Sequence, residues 1–247
     1  MADKTGLYGS VAPLRNVGLF VQLVGRVQAR EHGLPGLAAF YGPSGFGKSI
    51  AGSYGANHYQ AYCVQMKSVW RPKKLCEAIL TDLGLKPARV LADMVDQVAE
   101  HLARTQRPLI IDEADHLVAG GMVEVVRDIY ESSGATIVLI GEERLPQSLA
   151  KWERVHGRML EWVAAQPAEA RDVTLLAAIY CPGVELSEDL KDALFRASKG
   201  SIRRICVNLS KVGEFAKVQG RASLTAADWK GAFHSGEAPA PRRGLAA

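Results

Sequence analysis

The segment that most constrains this chain is Gly42-Pro43-Ser44-Gly45-Phe46-Gly47-Lys48-Ser49. Its spacing, GxxxxGK[ST], follows a short apolar run at 37–41 and opens a helical pattern at Lys48. Glycines in such a turn let successive backbone N–H groups point inward and cradle phosphate oxygens. The start of the following helix adds partial positive charge at the same point. In this reading Lys48 reaches the β- and γ-phosphates, and the Ser49 hydroxyl ligates Mg²⁺. The loop implies a bound nucleoside triphosphate and a fold that places a strand before it and a helix behind it.

A second segment completes the chemistry. Leu109-Ile110-Ile111 reads as a buried strand ending in Asp112-Glu113. Asp112 is placed to hold the Mg²⁺ shell beside the phosphate loop. Glu113, one residue on, can polarise a water for in-line attack on the γ-phosphate, which favours hydrolysis over simple nucleotide storage.

Apolar runs alternate with helical patterns through the first two thirds of the chain. Runs at 61–66, 108–111, 136–140 and 159–163 follow the first, with helices from Lys48, from Pro72 and through Leu91, Val95, Val98 and Leu102. Such alternation implies an α/β parallel sheet flanked by helices. Residues 1–35 read as a helical lead-in and 36–166 as the α/β core. Helices at 172–180, 187–197 and 201–217, with a shorter one beginning near Thr225, make 167–232 a small all-helical C-terminal lid domain; 233–247 reads as a disordered tail. The 247 residues, 48% hydrophobic and 23% charged, suit this two-part globular organisation. No apolar stretch approaches the roughly 18 residues of a membrane span, and the first residues lack a secretory pattern, so a cytoplasmic protein without a membrane partner is expected. Cys63, Cys76, Cys181 and Cys206 stand apart, with no CxxC pair, and read as reduced structural thiols.

With these motifs in this order, the chain resembles an AAA+ ATPase over roughly residues 15–230. The resemblance implies ATP as the nucleotide. It implies a sensor-two arginine at Arg203, in Gly200-Ser201-Ile202-Arg203, with Arg204 as neighbour. It also implies an arginine finger that enters the adjacent subunit's site: Arg154 in Lys151-Trp152-Glu153-Arg154-Val155-His156-Gly157-Arg158, or Arg158. Arginine suits both roles because its permanently charged planar fork can stabilise charge spread over phosphate oxygens. The family places Asn, Ser or Thr after its fourth strand. Here Ile140 leads into Gly141-Glu142-Glu143, so either Glu142 serves or the position is lost.

Within that family the layout is similar to the transposition ATPases, the phage Mu B, TnsC and TniB type. This implies ATP-dependent, largely sequence-independent binding of double-stranded DNA and self-association into a ring or helical filament. It further implies delivery of the target DNA to a DDE transposase, which stimulates an otherwise weak hydrolysis. Residues 1–15 are too short for the helix-turn-helix domain of Mu B, so DNA contact is expected from the ATPase body. The cation-rich segment Lys67-Ser68-Val69-Trp70-Arg71-Pro72-Lys73-Lys74 suits backbone phosphate contacts beside an aromatic ring, and Arg242-Arg243 adds weak attraction. The rival readings are a helicase-loader ATPase and a secretion-assembly ATPase that binds no DNA.

Overall fold

The structure, a computed structural model, describes residues 12–238. The chain divides between Gln166 and Pro167 into two compact units.

The first unit opens with α1 (Arg15–Gln28), β1 (Leu37–Tyr41), α2 (Lys48–His58) and β2 (Tyr62–Gln65). It continues through α3 (Pro72–Asp82), α4 (Leu91–Thr105), β3 (Leu109–Asp112), α5 (Ala114–Ala119) and α6 (Val123–Ser133). It closes with β4 (Ile137–Gly141), α7 (Leu145–Leu149), α8 (Glu153–His156) and β5 (Met159–Ala164). The five strands form one all-parallel sheet in the order β2-β3-β4-β1-β5.

The central strands carry apolar residues along most of their length because both faces are covered, and β3 ends in Asp112. Leu37, Ala39, Leu109, Ile111, Ile137 and Leu139 join the core beneath α3, α4 and α6, whose Leu75, Ile79, Val98, Leu102, Val126 and Ile129 are also fully buried. On the other face Phe40 meets Phe20 of α1 edge to face, ring centroids 5.3 Å apart. The helical spacing of Val17, Phe20, Leu23, Val24 and Val27 produces that buried stripe on α1. Trp70, Trp152 and Trp162 pack against the core as half-buried side chains.

The second unit contains α9 (Ala170–Tyr180), β6 (Glu185–Leu186), α10 (Glu188–Ser198), α11 (Ile202–Gln219) and β7 (Ser223–Leu224). A reciprocal capping box starts α9: Glu169 and Asp172 each accept the other's backbone N–H. Ile202, Ile205, Leu209, Val212 and Ala216 form the buried stripe of α11.

Three expectations for this unit change. It is not all helical, since β6 and β7 pair in parallel. The helix expected near Thr225 is a turn, because Asp228 accepts both the Thr225 N–H and its hydroxyl, closing the chain locally instead of extending a helix. Residues 233–238, expected to be disordered, lie against α11: the buried Asn208 accepts the His234 N–H at 2.6 Å and donates to its carbonyl at 3.3 Å. The Arg242-Arg243 pair lies outside the described residues. Among the described residues no helix is long and apolar enough to cross a membrane.

Candidate nucleotide site

The phosphate loop joins β1 to α2 at the C-terminal end of the sheet, where β3 and β4 also deliver their last residues. It begins with a hydrogen bond from Gly42 N–H to the Gly141 carbonyl, 3.3 Å, which ties it to the end of β4. Gly47, the residue before α2, is left-handed with φ 82° and so suits glycine. Lys48 folds over the loop and donates to the carbonyls of Gly42 (2.7 Å) and Pro43 (2.9 Å). Burial pushes its ammonium pKa below the ordinary lysine value, against the opposing pull of Asp112, Glu142, Glu113 and Asp115. Those carboxylates share one neighbourhood with the lysine.

Asp112 ends β3 at 8% exposure, and its Oδ1 accepts the Glu113 N–H at 2.8 Å. Its other oxygen takes no described partner. Ser49 stands exposed in the first turn of α2. A hydroxyl and a nearly buried carboxylate form the hard oxygen donor set that Mg²⁺ prefers, so the residues fit that ion. Glu113 is half-buried and has a left-handed backbone, φ 56°, the turn from which α5 departs. Such a conformation in a non-glycine residue costs roughly 1–3 kcal/mol and concentrates at functional sites.

One residue of this group was not singled out in the sequence. Asp115, the last of Asp112-Glu113-Ala114-Asp115, accepts the Glu142 N–H at 2.7 Å. It thereby links the start of α5 to the segment where the sensor-one residue was expected. Glu142 is exposed there and acts electrostatically on Lys48. The only hint in the sequence was a third carboxylate two residues after Glu113.

The two finger candidates separate. Arg158 is ion-paired with Glu131. Arg154, on α8, is exposed and has no ion pair among the described residues. In the helical unit, Arg203 is exposed in the first turn of α11, whereas Arg204 is half-buried against Gly236.

The basic loop leaves β2 beside the carboxylates. Gln65 is the register partner of Asp112, and Met66 N–H donates to the Asp112 carbonyl at 2.9 Å. Lys67, Arg71, Lys73 and Lys74 are all exposed, and Lys67 lies 6.0 Å from the centre of the Trp70 ring. Val69 at the tip is 79% exposed. The sequence segment holds no acid, but the helix brings Glu77 to 3.4 Å from Lys74. Lys73 reaches the Arg89 carbonyl at 3.1 Å, so the loop before α4, with exposed Lys86 and Arg89, adjoins this surface.

The profile of a family described as an AAA domain matches residues 31–149. Those residues are similar to an AAA domain. The matched span includes the phosphate loop, the Asp112-Glu113 pair and the basic loop, but ends before Arg154 and Arg203. Solved structures share the fold over most of the chain. The Orc1 protein of Aeropyrum pernix, in complex with DNA, aligns with TM-score 0.62 at 19% identity, covering 87% of this chain and 63% of that one. Cdc6p of Pyrobaculum aerophilum aligns with TM-score 0.63 at 16% identity, covering 88% and 66%. This chain thus spans just under two thirds of each of those proteins. Their shared architecture establishes the AAA+ phosphate-loop fold. No curated protein sequence matches the chain.

Proposed function

We propose that this chain binds and hydrolyses ATP with Mg²⁺, self-assembles on double-stranded DNA in a largely sequence-independent way, and presents that DNA to a DDE transposase in the cytoplasm. Lys48 and the loop amides hold the phosphates, Ser49 and Asp112 hold Mg²⁺, and Glu113 orients the attacking water. Mg²⁺ held there would supply charge neutralisation to the phosphates. Arg154 is offered to a neighbouring copy, and Arg203 reports the nucleotide state to the helical unit. The observation that carries the DNA assignment is the exit of the cationic loop from β2 directly beside Asp112, which puts a polyanion-binding surface next to the nucleotide chemistry. The fold of the DNA-bound Orc1 protein supports the same class of partner.

The test is fluorescence anisotropy of a random-sequence duplex with and without ATP and Mg²⁺ over a salt titration. ATP-dependent binding is expected. The Lys73→Ala, Lys74→Ala double variant should bind more weakly and with a flatter salt dependence, by about 0.9 in log–log slope per lost phosphate contact. Unchanged binding would remove the loop from the DNA site. Phosphate release that rises with a purified DDE transposase, and not with a replicative helicase, would favour transposition over helicase loading.

A further inference from the structure

Asn16 lies on α1, outside every sequence motif, yet it is one of the few polar side chains of the first unit that is buried, at 6% exposure. Its amide is used almost completely. Nδ2 donates to the Phe46 carbonyl at 2.8 Å and to the Gln166 carbonyl at 2.8 Å. Oδ1 accepts the Gln166 N–H, also at 2.8 Å. Two carbonyls on one side and an N–H on the other leave a single sensible orientation for the amide. The side chain is therefore locked, with one end fastened to Gln166, two residues beyond β5, and the other to the middle of the phosphate loop.

The consequence lies in the peptide between Phe46 and Gly47. No cis peptide bond occurs among the described residues, and a trans planar peptide points its C=O and N–H in opposite directions. Holding the Phe46 carbonyl toward Asn16 obliges the Gly47 N–H to face away from it. Among the described residues no group accepts a hydrogen bond from that N–H. We infer that Asn16 is a positioning residue of the phosphate site: it contributes no ligand atom, but aims the Gly47 amide at the anion by fixing the opposite face of the same peptide. This rests on the nucleotide-binding reading above and assigns to α1 a part in it.

The inference predicts a loss of phosphate affinity beyond any loss of fold. Asn16→Ala and Asn16→Asp both remove the donor to Phe46. Calorimetric titration with ATP and with ADP, in Mg²⁺ and well below each variant's melting temperature, should show affinity at least tenfold below wild type. In protein labelled with ¹⁵N-glycine, the Gly47 amide should shift strongly on ADP addition in wild type and much less in either variant. The introduced carboxyl of Asn16→Asp regains an O–H donor when protonated, so its affinity relative to wild type should recover as pH falls. A purely structural Asn16 would lower the melting temperature but leave the affinity of the folded variants within twofold, with no recovery at low pH; that result overturns the inference alone. Absence of ATP binding by the wild-type chain would overturn it together with the proposed function. Should one variant fail to fold, the other carries the comparison.

Discussion

The Asp115 carboxylate accepts the Glu142 N–H at 2.7 Å, so a single side chain fastens the start of α5 to the end of β4. The fit is close. A Cβ on Gly141 would lie 2.6 Å from Asp115 Oδ2 and 2.7 Å from Leu145 Cδ2. Gly141→Ala should therefore displace this contact and cost about 1–3 kcal/mol by overpacking, read from urea unfolding. Asp115→Ala should leave ATP affinity within a few-fold and reduce kcat, since it frees Glu142 without removing a group that holds the phosphates. Equal losses in affinity and turnover would instead place Asp115 in binding.

Glu113→Gln keeps the shape of the site but removes the proposed base. ATP should still bind, while phosphate release falls by about 10²-fold or more. Lys48→Ala should lose binding itself. If both variants lose only binding, Glu113 has no role in orienting water.

Arg154 and Arg158 should behave differently. The exposed Arg158–Glu131 pair contributes at most about 1 kcal/mol, so Arg158→Ala should change stability slightly and turnover little. Arg154→Ala should preserve ATP binding and reduce turnover by about 10³-fold. Mixing Arg154→Ala with Lys48→Ala subunits should restore part of the activity, because each supplies what the other lacks. Absence of any restoration across mixing ratios would argue against a shared site.

The helical unit should be sensitive to acid through Asp228. Hydrogen bonds from the Thr225 hydroxyl and N–H, then Arg221, hold its carboxyl at about 2, below the ordinary 3.8. Because the folded value lies below the unfolded one, the stabilisation is fully present above about pH 4 and lost as pH falls toward 2. Asp228→Asn should flatten thermal stability over that window while changing it little near pH 2 and below. An unchanged pH profile would show that the turn does not depend on this charge.

The sequence made the sheet legible because its central strands are buried on both faces, so 109–111 and 137–140 read as unbroken apolar runs. It made the site legible because phosphate binding dictates backbone geometry, and glycine and lysine spacing record that geometry. Interactions carried by fold contacts were not visible. Asn16 meets Phe46 and Gln166 only once α1 lies beside β5. Asp115 meets Glu142 only once β3 and β4 end side by side. The turn at Thr225 was misread because Asp228 can serve a helix or close a local ring, and only its hydrogen bonds decide between them.

Lys48 already donates to two carbonyls of its own loop. Any entering anion is thus measured against that internal arrangement, and only the excess of its attraction over two neutral oxygens appears as affinity. A phosphate oxygen carries charge where a carbonyl does not, so the ammonium gains from the exchange of partners. A polyphosphate chain would gain further from the loop amides. The loop thus holds its own lysine in place until a stronger acceptor arrives.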